Sequence, residues 1–471
     1  MTTSDDGEIR RWQGWLVLLA IFLFAFGLRW YYVSHALVLD PVRGDATQYY
    51  AYALNLSNHG IFSKDLPGAT VIHPDNYRDP GYPLFLALWM KVLGAGEAWY
   101  AAILLSQALL GALTVVLAVQ LGRHWLPLSW AAAAGIVMAL WPHSITINGY
   151  LLSETLFGFL AVLGVLFGAR AFQLESTRLA VMTGLTLGAA ALTNAILLPF
   201  GILLAALLAW RRLGPRKLCV ALAMGSLFLP CAWAVRNAMV VVPVAGTSST
   251  DRALLNLAQG SRPEFQAAWR DSVLGDDDAK AKASIVFQHV DADYAQLRSS
   301  PLRGVTIMLR RFSQHPLQIA RWYLIEKPAL LWGWSIEIGQ GDIFVFPTRN
   351  APFQIQPTWI ALAAICSAAN ITLMLLALAG VLLARWLPLD RPRAKPHPAS
   401  RAALVTTASL VAFVTLVYST LQAEPRYSIP FRSFEILLAL TALYAAATWW
   451  RRRQTPAQTA VPQDDTEPPR F

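Results

Sequence analysis

The sequence predicts an all-α protein that crosses a membrane many times. Of its 471 residues, 56% are hydrophobic and 14% are charged. Mean hydropathy is +0.44, and apolar runs of about 20 residues, the length that spans a bilayer, recur along the whole chain. The net charge of +10 does not point to nucleic acid, because the basic residues sit in short clusters between apolar runs: Arg10-Arg11, Arg211-Arg212, Arg216-Lys217 and Arg451 to Arg453. Clusters of that kind set topology.

The first run, 12–33, is longer than a signal-peptide core and leads into Leu-Val-Leu-Asp-Pro rather than a small-residue cleavage site, so it should remain as an anchor. With Arg10-Arg11 in the cytoplasm, the loop 41–83 lies outside. The run 99–120 returns to Arg123-His124, 129–146 goes out, and 151–172 comes back to a segment holding Arg170 and Arg178. The run 179–192 is short, a tilted or shallow span. From 195–210 the chain reaches the densest basic loop, RRLGPRK, and 218–239 takes it out again.

The segment 243–357 has mixed polarity and enough length for a small extracytoplasmic domain. After it, 359–383, 402–420 and 431–450 complete about ten spans, with both termini inside. A crossing at 81–93 would be an eleventh and would invert every later basic loop, so that stretch reads as an amphipathic or re-entrant helix. The expected organisation is an N-terminal transmembrane module over 1–242 with a functional first loop at 34–97, the loop domain 243–357, C-terminal helices over 358–450, and a disordered cytoplasmic tail at 451–471. Cys219, Cys231 and Cys366 lie inside apolar runs without close pairing and read as buried packing residues. No fixed-period repeat, Gly-rich phosphate loop, HExxH, GxSxG or CxxC is present.

The loop 41–83 concentrates Asp45, Asp65, His73, Asp75, Arg78 and Asp79 in a chain poor in charge. Ionisable groups gathered beside a span are candidates for function. The assigned topology brings His143, Glu154, Arg236-Asn237 and Glu424-Pro425-Arg426-Tyr427 to the same side. An outward-facing site excludes a cytoplasmic nucleotide as direct donor and favours a lipid-borne one. Sugar transfer from a lipid phosphate needs a base for the acceptor hydroxyl and cations for the departing phosphate. One Asp and two Arg meet that need.

Asp45 follows Gly44 and opens a helical pattern, so it reads either as that base or as a helix N-cap. Arg78 and Arg426 suit phosphate oxygens or headgroup contact. Glu154 needs a partner at the bilayer edge, an Arg, a hydroxyl or the acceptor. His73 and His143 lack companion ligands at zinc spacing. A loosely held divalent ion, Mg or Mn, on Asp45 and phosphate oxygens stays open. Trp322, Tyr323, Trp332 and Trp334 read as an aromatic belt, or alternatively as a sugar-stacking platform. GDDDAKAK from Gly275 reads as a solvated stretch.

These stretches, LRWYY, GDATQYYAYALNL, YRDPGYPLFLAL, SETLFGFL, WAVRNAMVVVPVAGTSST and EPRYSIPF, taken in order, resemble the GT-C fold polyprenyl-phosphate-sugar-dependent glycosyltransferases. The branch they resemble holds the protein O-mannosyltransferases, the lipid A aminoarabinose transferase and the bacterial lipopolysaccharide-core transferases. The resemblance implies an inverting transfer at the outer face of the cytoplasmic membrane, from a polyprenyl monophosphate sugar to a glycan, lipid or protein. It carries over Asp45 as the catalytic acidic residue, Arg78 in an RxPGYP-like segment, Arg426 and Tyr427 in a late RY motif and Arg236-Asn237 in an RN motif at the end of a span. Joined to the reading of the residues, this makes Arg78, Arg426 and Tyr427 candidates for the donor phosphate and His73, Glu154, Arg236 and Asn237 candidates for the substrate pocket. Two departures stand out. Asp45-Ala46 occupies a place where relatives often carry two acids, and Thr193-Asn194-Ala195 one where they often carry Thr-Arg-Pro. The rivals are an O-antigen ligase or polymerase with a diphosphate-linked donor, and a lipid or sugar transporter.

Overall fold

The computed structural model describes residues 3–242, 244, 246–384 and 398–454. Among the described residues, seven helices are long and apolar enough to cross a membrane, or eight if a pair bent by 64° counts as one span. This is a multi-pass membrane protein. The Pro-rich basic linker and most of the predicted tail lie outside the described residues.

The first helix, α1 (Thr3–His35), carries the first span. It ends in β1 (Leu37–Val38), which pairs antiparallel with β2 (Thr348–Arg349) from the far side of the loop segment. The loop 41–83 then folds back: α2 (Asp45–His59) is followed by α3 (Gly81–Leu93). With 13 residues, α3 rises only about 20 Å, short of a roughly 30 Å hydrocarbon core. It packs on α2 through Tyr49, Tyr82, Leu86 and Met90. At its start Gly81 meets the end of a later helix so closely that a Cβ would lie 2.9 Å from the Thr193 Cα.

Next come α4 (Glu97–Gly122), α5 (Leu128–Leu140) and α6 (Pro142–Thr146). The bend between the last two falls at Pro142, which cannot continue the hydrogen-bond ladder. The carbonyls freed at the end of α5 accept from buried Arg29, whose Nη1 is 3.3 Å from the Ala139 oxygen. Gln107, buried within α4, binds the carbonyls of Asn148 and Tyr150 at 2.9 Å and accepts from the Tyr82 hydroxyl. That one amide ties the bent segment to α3.

The bundle continues with α7 (Glu154–Gln173), α8 (Thr177–Thr193), α9 (Phe200–Trp210) and α10 (Arg216–Val240). Two of the predicted spans are realised as shorter apolar helices, Thr177–Thr193 and Ala195–Trp210. Close helix approach there rests on small residues, which let backbones touch where lipid supplies no hydrophobic drive.

Four helices then pack around Ala258, Phe265, Val290, Leu297 and Met308: α11 (Ser249–Gly260), α12 (Phe265–Leu274), α13 (Asp277–Ser299) and α14 (Pro301–Phe312). A continuous helical run follows, α15 (Pro316–Arg321), a π turn at Trp322–Glu326, and α16 (Lys327–Leu331). A short α17 (Pro352–Ile355) leads into α18 (Pro357–Leu383), α19 (Pro398–Thr420), α20 (Pro425–Ser428) and α21 (Arg432–Gln454). Buried Arg432 pairs with Glu435 at 2.8 Å and binds the carbonyls of Trp332 and Gly333. This pins the end of α16 to α21.

The cysteine expectation holds for Cys219 and Cys366, which are buried, and fails for Cys231, which is exposed. Cys231 sits beside Pro230 on α10, on a stretch whose neighbours are mostly exposed too. GDDDAKAK is solvated as expected. Asp276 caps α13 by accepting from the Ala279 N–H, and Lys282 pairs with Asp278 across one turn.

Candidate active site

Asp45 is the first residue of α2. Gly44 takes the N-cap position with φ of +54°, and no side chain caps the helix. The capping reading of Asp45 is therefore corrected: its carboxylate points into a cluster of cations. Oδ1 accepts from Arg78 Nη2 at 2.6 Å, and Oδ2 from Arg426 Nη2 at 2.7 Å. A carboxylate at a helix N-terminus also gains from the helix dipole.

Three other elements supply the partners. Arg78 comes from the loop before α3; its Nε donates to Gln48 at 2.5 Å, and its guanidinium lies 5.2 Å from the Tyr49 ring centroid. Gln48 shares a face of α2 with Asp45, being three residues on. Arg426 comes from α20, and its Nε pairs with Glu154 Oε1 at 3.0 Å at the first turn of α7. Glu154 Oε2 is buried without a hydrogen-bond partner among the described residues. One arginine thus bridges two carboxylates while a carboxylate oxygen remains free to take a donor.

The side chain of Asp45 is 28% exposed, against 13% for Arg78 and 16% for Arg426, so the acid is the most accessible of the three. Burial raises the proton affinity of Asp45, but Arg78 and Arg426 outweigh it and hold the carboxyl well below the usual carboxylate range. For Arg78 burial works against the charge and Asp45 more than restores it.

The loop that carries Arg78 is fixed on several sides. Asp75 accepts from the Tyr52 hydroxyl and from the N–H groups of Lys64 and Tyr77. Arg236 donates to the Asp75 carbonyl at 3.0 Å, and its guanidinium lies 4.8 Å from the Trp233 ring centroid. Asp79 binds Arg252 of α11 at 2.7 Å and the Ala195 N–H at 3.2 Å. The segment before Arg426 is fixed as well. Glu424 accepts from the N–H groups of Arg426, Glu337 and Ile338, and buried Lys327 binds the carbonyls of Gly260 and Leu421. Burial pushes the Glu424 carboxyl up to about 7, despite the nearby Arg426.

Asp45, Arg78, Glu154 and Arg426 therefore come together, and the remaining predicted residues take other places. His73 is exposed and pairs with Asp65 at 3.3 Å. Arg236 braces the loop backbone and holds Asn237 Oδ1 at 2.9 Å. Tyr427 stacks on Tyr418 with its hydroxyl directed to Gln422, and Arg426 lies over its ring at 5.5 Å. His143 is buried against Trp334. Trp322 and Trp332 are buried framework, donating to the Gly260 carbonyl and to Thr415, and offer no open stacking platform. Sequence reasoning missed Gln48, Arg252 and Lys327. Only Gln48 carried a signal, its helical spacing from Asp45.

Asp45 does not fit a preformed Mg or Mn site. Both its oxygens hold guanidinium groups, and no group of three or more His, Cys, Asp or Glu among the described residues could hold a metal ion. An entering divalent ion would meet the charge of both arginines.

The Archaeoglobus fulgidus oligosaccharyltransferase, solved with a tethered acceptor peptide, superposes over 94% of this chain with a TM-score of 0.50 and 15% identity. The Archaeoglobus fulgidus oligosaccharyltransferase AglB, in complex with an inhibitory peptide and a dolichol-phosphate, gives 94%, 0.50 and 14%. The chain has the GT-C fold. It spans about half the length of these structures, 50% and 52%. ArnT from Cupriavidus metallidurans, bound to undecaprenyl phosphate, has 15% identity over 92% of this chain and 78% of its own, with a TM-score of 0.35. No family model and no curated protein matches the sequence.

Proposed function

We propose that this GT-C chain is an integral membrane glycosyltransferase that moves a sugar from a polyprenyl monophosphate to a hydroxyl of a lipid, glycan or protein, with inversion. The observation that carries the reading is one half-open carboxylate, Asp45, gripped by Arg78 and Arg426. That arrangement holds two cations and a base within reach of one another before any substrate arrives.

The acceptor oxygen attacks the anomeric carbon from the side opposite the phosphate. The bond to the phosphate oxygen breaks and its electron pair leaves on the lipid phosphate, so no acid has to protonate it. Arg78 and Arg426 turn N–H donors toward the phosphate oxygens and stabilise the growing charge. Guanidinium groups diverted to phosphate no longer hold down the proton affinity of Asp45. Donor binding thereby raises the basicity of the carboxylate that takes the acceptor proton. The free oxygen of Glu154 accepts from a second, non-reacting hydroxyl of the acceptor and so orients it, leaving the attacking O–H to Asp45.

The Arg170 side chain lies 16 residues beyond Glu154 on α7, about 24 Å along the helix. Basic residues there and at Arg123 and Arg211 support a cytoplasmic side opposite the site, and with it the reading that both termini are cytoplasmic and Asp45 faces the outer side of the inner membrane.

The test is titration of purified protein with a short-chain polyprenyl monophosphate, followed by calorimetry, for the wild type, Arg78→Gln and Arg426→Gln. The expected result is binding by the wild type and loss of at least about tenfold in affinity in each variant, the scale of one charged hydrogen bond. Equal affinity in all three would sink the reading; stronger binding of the diphosphate would shift it to a diphosphate-linked donor.

A further inference from the structure

Two helices outside the bundle show apolar stripes that the described residues do not cover. On α14, Gly304 and Met308 face inward, and Arg311 binds Asp293 at 2.5 Å and Ser261 Oγ at 2.7 Å. The opposite face shows Leu302, Val305 and Leu309, spaced i, i+3 and i+7, with Leu302 85% exposed. The run 316–331 repeats the pattern with Leu317 at 85%, Leu324 at 76% and Ile325 at 63%. A ring contact of 5.6 Å between Phe312 and Tyr323 holds the two helices together. A helix with one packed face and one exposed apolar face has its second partner elsewhere.

The depth of these helices follows from their contacts with a span. Lys327 binds the carbonyl of Leu421, one residue past the end of the Ala399–Thr420 span. Trp332 binds Thr415, about five residues inside that span. The run 316–331 thus enters the bilayer at its C-terminal end, and Leu324 and Ile325 lie within one turn of the boundary. Arg303 and Arg310 are exposed beside the α14 stripe, and Arg321 beside the other, paired with Glu326. Apolar residues flanked by arginine at the height of the headgroups match an anionic lipid surface.

We propose that α14 and the run 316–331 form a foot that lies on the bilayer leaflet on the Asp45 side, with its leucines among the acyl chains and Arg303 and Arg310 on anionic headgroups. The foot sets the height of α11 to α13 over the cleft.

Single cysteines at Leu309 or Leu317, placed in a Cys231→Ser background of the full chain and labelled with an environment-sensitive fluorophore, test this in proteoliposomes that contain brominated phosphatidylglycerol. A label at Lys282, beside the charged start of α13, is the control. Bromine should quench both foot labels at least about twofold more than the control, and Arg303→Gln with Arg310→Gln should reduce that quenching in anionic but not in zwitterionic vesicles. Quenching of the foot labels by aqueous iodide as strongly as the control would overturn the proposal. So would shielding from both quenchers, which would mean that a second copy or another protein covers the stripe.

Discussion

Arg426 Nη2 lies 2.7 Å from Asp45 Oδ2 across 381 positions of sequence. The same guanidinium reaches Glu154 through Nε. One side chain at the head of the last span therefore joins the first loop to the start of α7.

Asp45→Asn keeps the shape and removes the proton acceptor. Transfer should fall by roughly 10²–10⁴-fold, the usual worth of a positioned base. Size-exclusion profiles should stay monodisperse, separating lost chemistry from lost folding. Activity within about threefold of wild type would remove Asp45 from the reaction.

Arg426→Lys keeps one charge but loses the planar fork that spans two carboxylates. Asp45 and Glu154 then share an incompletely compensated site, and the variant should lose on the order of 3 kcal/mol of stability. Thermal unfolding in detergent reads the shift, and donor KM should rise in parallel. A Lys variant that matches the wild type in both would show that a point charge suffices.

The pH profile of kcat/KM should change in a defined direction when Arg78 is removed. In the wild type, Asp45 is held well below the usual carboxylate range by Arg78 and Arg426 against the effect of burial, so it stays ionised and gives no acid limb in the accessible range. Arg78→Gln withdraws one cation and lets its proton affinity rise. An acid limb should then move up toward ordinary carboxylate pKa values. Superimposable wild-type and variant profiles would contradict this account.

Asp79 and Arg252 join the loop behind Arg78 to α11 at 2.7 Å. Asp79→Asn and Arg252→Gln should each lower transfer, and the double variant should be little worse than either single one, with a coupling of about 1–3 kcal/mol. Strict additivity across the cycle would mean that the pair is not what fixes the loop.

Lys327 is fully buried between two carbonyls, and desolvation pushes its pKa down to about 7 from the ordinary 10.5. Between those values the unfolded chain binds the proton and the folded chain does not. Stability should therefore rise with pH across that window by about 1.4 kcal/mol per unit at most, and flatten below pH 7. Thermal midpoints from pH 7 to 9 should climb in the wild type relative to Lys327→Met. Parallel lines would assign the slope to other groups.

The spans were legible in the sequence because hydrophobicity is a local quantity: a run of about 20 apolar residues spans a bilayer whatever its neighbours are. The same logic placed Asp45, Arg78, Glu154 and Arg426 at one end of the bundle, since ionisable groups beside spans are costly without a task. The positions of the later basic loops also argued that 81–93 is an amphipathic or re-entrant helix rather than a full crossing, and the stretch is a short apolar helix.

Which of those groups touch was decided only by tertiary structure. In sequence His73 shares the loop 41–83 with Arg78, and Arg236 stands in an RN pair assigned to the same side of the membrane. One turns outward to Asp65, and the other braces the loop backbone. Tyr427 adjoins Arg426 but stacks on Tyr418. Arg252 and Lys327 carried no local sign of their roles, because an ion pair or a buried ammonium depends on how distant helices cross and on which faces they turn to one another. Sequence periodicity reports the apolar face of each helix, and only packing determines which polar atoms come within hydrogen-bond reach.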